Sequence, residues 1–176
     1  MSKYQYLKKL NMTKTYFSGL AAYNSWANNK VISWLDRIDE SQWTKISISS
    51  FSSVESTVLH IASAEKVWID FWNNKNEPVY LSAGFTGSKE ELIQIWKNAS
   101  AGLEQILNQI PEEEYRRLIS FKYPRGGEGQ MEFWQTFSHI INHSTYHRGQ
   151  LVSLLRQSDF TELSSIDLAT YYILVP

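Results

Sequence analysis

Phe133 to Gln157, FWQTFSHIINHSTYHRGQLVSLLRQ, is 25 residues with no proline and one glycine, long enough for about seven helical turns at 3.6 residues each. Each residue of a helix advances about 100° around the axis and about 1.5 Å along it. On that plot Phe133, Phe137, Ile140, Ile141, Leu151, Val152, Leu154 and Leu155 share one arc, the mark of a helix that buries one face. A chain that carries such an element must supply other amphipathic elements to cover it.

The same stretch carries three of the four histidines, at four-residue spacing. His147 falls inside the apolar arc, His143 lies at its edge, and His139 sits about 40° beyond it. Two of the three are therefore expected to point toward the core and one away from it. Histidines at i and i+4 are about 6 Å apart along the axis, the reach at which two imidazoles can share an ion. His139 and His147, about 12 Å apart, cannot do so. His143 and His147 are the expected pair.

Three further helices are legible. Thr13 to Ile38 places Tyr16, Leu20, Tyr23, Ala27, Val31, Trp34 and Leu35 on one broad face, with Asn24, Trp26 and Asn28 among them. Ser52-Ser53-Val54-Glu55 has the S-x-x-E form of a capping box and opens a second helix that runs to about Asn73. Its stripe is Val54, Val58, Ile61, Trp68 and Trp72, with Glu65 in the middle and His60 near the border. Ser88-Lys89-Glu90-Glu91 repeats the box and starts a third helix that ends at Ile110, before Pro111.

Between these lie connections. The segment through Asn11 is polar and reads as a frayed start; residues 40 to 51 read as a serine-rich loop. Asn73 to Gly87 reads as a mobile loop. Tyr115 to Gln130 combines short alternation with Pro124, Gly126, Gly127 and Gly129, the pattern of a small hairpin or irregular excursion. After Ser158 the tail has apolar groups without a clear period and is expected to pack across the bundle. The fold class is all-α: a four-helix bundle, residues 1–176 forming one domain, with the excursion between helices three and four.

Charge and composition narrow the function. A net charge of −1 gives no electrostatic footprint for nucleic acid or anionic membrane. No run reaches transmembrane length and the N-terminus has no apolar signal core, so a cytoplasmic protein is expected. With no cysteine, thiolate ligands are excluded and any metal must be held by nitrogen and oxygen. In bundles, metal sites form between facing helices, which makes His60 the natural third ligand beside His143 and His147. Three nitrogens leave a position open on the ion, the arrangement of catalytic rather than structural sites.

The string His143-Ser144-Thr145-Tyr146-His147-Arg148-Gly149-Gln150, with His139 one turn before it, resembles the signature helix of the DinB/YfiT-like superfamily. The resemblance extends to Tyr23-Asn24-Ser25-Trp26-Ala27-Asn28, to Leu59-His60-Ile61 with Ala64, Glu65 and Trp68, and to Asp167 with Tyr171. It implies a four-helix bundle holding a divalent metal, nickel or zinc, on His60, His143 and His147. It also implies a homodimer, and chemistry of the thiol-S-transferase type on a small molecule, a low-molecular-weight thiol among the candidates, with hydrolysis as the broader class. The competing expectation is a stress-induced binding protein whose metal braces the bundle or is sensed, with Glu65 as a fourth ligand. Ser158 stands where the family usually has glycine.

Glu65 is the expected acid/base group or a second-layer residue, weighed evenly against a plain core carboxylate. His139 is expected to support the site or touch a partner. Arg148 is expected to pair with a carboxylate or the tail, and Trp26, Trp68 and Tyr146 to pack in the core.

Overall fold

A computed structural model describes residues 12–75, 77–124 and 126–175. The polar segment through Asn11 lies outside the described residues. Four long helices dominate: α1 (Lys14–Leu35), α3 (Val54–Trp72), α4 (Lys89–Gln109) and α5 (Phe133–Gln157). Two short ones join them, α2 (Glu40–Thr44) and α6 (Leu168–Leu174), with a two-stranded sheet, β1 (Leu118–Lys122) and β2 (Glu128–Glu132).

The caps decide where the helices begin. Thr13 accepts from the amide of Tyr16, and Ser88 and Glu91 form the expected reciprocal box. At α3 the box lies one residue later than the sequence pattern proposes: Ser53 pairs with Ser56, and Ser52 stays outside. Shifting the start by one keeps Val54 buried as the first helical residue.

Residues 40 to 51 are not wholly loop. Asp39 and Gln42 form a capping box around α2, whose Trp43 is buried in the core. The tail likewise contains α6, started by Asp167 accepting from the amide of Ala169. It packs across the bundle as expected: Phe160 is buried at one end and Tyr171 at the other, against Tyr23 and Trp26. At the end of α5, Ser158 keeps a right-handed backbone and Asp159 takes the left-handed position at φ 60°, a conformation that Asp tolerates better than most residues.

The four long helices pack as a ring in the order α1, α4, α3, α5. The early residues of α1 and α5 share one apolar cluster with the late residues of α3 and α4, so α1 and α5 run one way and α3 and α4 the other. Adjacent α3 and α4 are therefore parallel, and residues 73–88 must return along the bundle. That return is pinned: Leu81 N donates to Ser63 Oγ at 2.9 Å and the Tyr80 hydroxyl donates to Lys122 O at 2.6 Å.

The excursion before α5 is an antiparallel hairpin, in register from Leu118 opposite Glu132 to Lys122 opposite Glu128. Gly126 and Gly127 turn it at φ 88° and 95°, which a side chain would resist. Ile119 and Phe121 bury its inner face.

Between the two apolar clusters lies a buried polar layer contributed by all four long helices: Asn24 and Asn28 of α1, Glu65 of α3, Ser100 of α4, and Ser144 and Arg148 of α5.

Candidate metal centre

The carboxylate of Glu65, 0% exposed, organises that layer. Its Oε1 accepts from Asn24 Nδ2 at 2.9 Å, Asn28 Nδ2 at 3.0 Å and Ser144 Oγ at 2.8 Å, and its Oε2 accepts from Ser100 Oγ at 3.0 Å. The two asparagine carbonyls turn the other way and accept from Arg148 Nη1 at 2.5 and 2.8 Å, while Arg148 Nη2 donates to Thr145. Among the described residues Arg148 thus reaches Glu65 through the two asparagines, and it meets neither a carboxylate directly nor the tail. Burial lowers the guanidinium pKa, opposed by Tyr23, whose ring lies 5.4 Å away, and by the charge of Glu65.

About 100° around α5 from Ser144 and Arg148, and one residue before each, His143 and His147 meet His60 of α3. The helical spacing of His143 and His147 sets them side by side, with ring centroids 4.4 Å apart, and α3 brings His60 within 4.8 Å of one and 4.5 Å of the other. Each offers one nitrogen in a group whose members all lie within 4.8 Å of one another. His147 is buried, His60 and His143 are half-buried, and His139 is exposed, as the helical plot predicts. His139 stays outside the group and lies edge-on to Trp68 at 5.6 Å. Glu65 is also outside the group.

His60 Nε2 and His143 Nε2 are 2.9 Å apart. Two unprotonated nitrogens at that distance repel, so either a proton or a cation belongs between them. Nitrogens bound about 2.0–2.1 Å from one tetrahedral ion are roughly 3.3 Å apart, a spacing of the same order. Burial holds the rings neutral. It lowers the pKa of His60 to about 4, helped by nearby His147, and that of His143 to about 3, helped by His147, His60 and His139. Burial also lowers His147, opposed by its hydrogen bond to Gln150. Neutral imidazoles have the lone pairs that a metal requires, and the donor set suits a divalent ion.

The loop between α2 and α3 closes one side. Phe51 stacks on His60 at 4.2 Å and 26° and meets His147 edge-on at 5.4 Å. Gln150 bridges His147 Nδ1, at 2.7 Å, to Ser50 Oγ, at 3.0 Å. Sequence reasoning assigned no role to Ser50 or Phe51, and Gln150 entered it only as part of the signature string. Gln150, three residues after His147 on one helix, was the detectable one; loop residues carry no period.

Tyr146, expected in the core, is 60% exposed, because it lies next to His147 on the solvent side of α5. Trp68 is buried and Trp26 half-buried against the tail. A separate cavity of about 710 Å³ lies at the hairpin, between Phe71, Lys75 and Phe121, and none of the histidines lines it.

The DinB family model matches residues 10–164. The chain belongs to the DinB family. Protein DinB of Bacillus subtilis (strain 168) is 24% identical over 148 residues, spanning 80% of this chain and 85% of that protein. Among solved structures, a DinB-like protein from Bacillus subtilis superposes with a TM-score of 0.61 at 19% identity, over 84% of this chain and 96% of the other. A DinB-like protein from Bacillus cereus ATCC 10987 gives 0.62 at 17% identity, over 79% and 90%. At these identities the structural likeness concerns the fold, a helical bundle shared with these two proteins.

Proposed function

We propose that this DinB-family chain binds one divalent metal ion, nickel or zinc, through His60, His143 and His147, and uses it as an enzyme of the thiol-S-transferase or hydrolase type on a small molecule. The approach of His60 Nε2 to His143 Nε2 at 2.9 Å, with His147 beside them, is the observation that carries the reading. A bound ion would supply Lewis acidity, lowering the pKa of a thiol or water or polarising a carbonyl. The protein's part is to hold three neutral imidazoles in place and to shield one side with Phe51.

The competing reading, a structural or sensed ion in a stress-induced binding protein, called for Glu65 as a fourth ligand. The four donors already directed at Glu65 argue against that role, and they favour a carboxylate that supports the bundle over one that shuttles protons at the ion. Exposed Tyr172, Ile173 and Leu174 support a homodimer. The net charge of −1 weighs against nucleic acid, and no helix among the described residues is long and apolar enough to cross a membrane.

Elemental analysis of tag-free protein tests the site. About one equivalent of metal in the wild type and its loss in His143→Ala are expected. With the metal loaded, thiols offered with electrophilic acceptors should turn over. No metal in either protein, even after reconstitution, would sink the proposal.

A further inference from the structure

We propose that Gln150 and Ser50 are positioning residues that select the tautomer of His147 and so decide whether its Nε2 can serve as a ligand. The inference rests on the metal-binding reading for its purpose, but its geometry stands in the protein alone.

His147 Nδ1 lies 2.7 Å from Gln150 Oε1. An amide oxygen can only accept, so Nδ1 carries the proton and Nε2 keeps its lone pair. The inverted amide would do the opposite: its NH2 would donate to Nδ1, the ring proton would move to Nε2, and the ring would be lost as a ligand. Ser50 breaks this tie only in part, because its hydroxyl can accept from Gln150 Nε2 at 3.0 Å or donate to an inverted amide oxygen. The orientation observed, with Gln150 Oε1 on Nδ1 and Gln150 Nε2 on Ser50 Oγ, is the one that leaves the other ring nitrogen unprotonated beside His60 and His143, as a shared ion requires.

The three imidazoles are not supported alike. His147 has Gln150; His60 has the face of Phe51; the buried Nδ1 of His143 has no partner among the described residues. Among the described residues His147 is therefore the one candidate ligand whose Nδ1 is held by a side chain, and that side chain is tied to the loop between α2 and α3. Outer partners of ligating histidines typically contribute about 10–100-fold to metal affinity.

The test has two arms. In metal-free protein near pH 8, nitrogen NMR of the imidazole rings reads the tautomer directly. The wild type and Gln150→Glu, which keeps an acceptor facing Nδ1, should show His147 protonated on Nδ1. Gln150→Leu should lose that preference. In the second arm, zinc titrated against a competing chelator should bind Gln150→Leu about 10–100-fold more weakly than wild type, with Gln150→Glu recovering most of the loss and Ser50→Ala losing less than Gln150→Leu. His147 protonated on Nε2 in the wild type, or a tautomer unchanged in Gln150→Leu, would overturn the proposal. A wild type that binds no zinc would instead overturn the metal reading, with the tautomer result still deciding this one.

Discussion

Arg148→Met is the most informative single change in the bundle interior. The guanidinium is fully buried and donates to Asn24 Oδ1, Asn28 Oδ1 and Thr145 Oγ1. Removing it leaves two buried amide carbonyls without that donor and leaves Glu65 in the interior with no cation nearby. Breaking a buried charge pair by deleting one partner costs about 3–5 kcal/mol. Against a total of roughly 5–15 kcal/mol, that is a large share. For a chain of this length each kcal/mol moves the melting temperature by about 2–4 °C, so a fall of roughly 6–20 °C is expected. Urea denaturation and thermal melting, both with chelator present, measure it without interference from metal. The double variant Glu65→Leu/Arg148→Met should cost less than the sum of its single variants by about 0.5–3 kcal/mol, because neither leaves a charge for the other to strand. A loss below about 1 kcal/mol for Arg148→Met, or strict additivity within about 0.5 kcal/mol, would refute the coupling through the asparagines.

Acid should weaken the metal-free protein through its histidines. The folded pKa values of His60 and His143, about 4 and about 3, lie below the unfolded value of about 6.5. The unfolded chain therefore binds more protons between those limits; the stability from these groups is complete above pH about 6.5 and is lost as pH falls toward 4 and 3. Urea midpoints should drop over that window, and less steeply in His60→Asn/His143→Asn; equal slopes would count against burial of neutral rings. Gly129→Ala should destabilise by about 1–3 kcal/mol, since its new Cβ would meet the Phe121 ring at 2.4 Å and push it from the hairpin core. A melting temperature within error of the wild type would show that Phe121 moves freely.

The long helices were legible because their apolar pattern repeats over five turns or more. α5 has the bounds its pattern predicts, and the three histidines separate into buried, edge and exposed as their angles require. α2 was not, because five residues with one apolar side chain show no period; the Asp39 and Gln42 box was its only signal. The start of α3 slipped by one because four serines surround Phe51, each a plausible cap. Asn24 and Asn28 were visible one turn apart on an apolar face, yet nothing in one helix tells that they face Glu65 and Arg148 from two others. Phe51 comes to His60 through a loop whose path no pattern encodes.

The buried polar layer also bears on how the chain folds. Each apolar half draws residues from the same four long helices, and either half, taken alone, could collapse with one helix absent or misplaced. The layer between them tolerates no such state: without α1 the carboxylate of Glu65 loses Asn24 and Asn28, and without α4 it loses Ser100. Partly assembled bundles would strand donors and charge away from water. The two halves are thereby joined into one cooperative unit, which assembles whole or not at all.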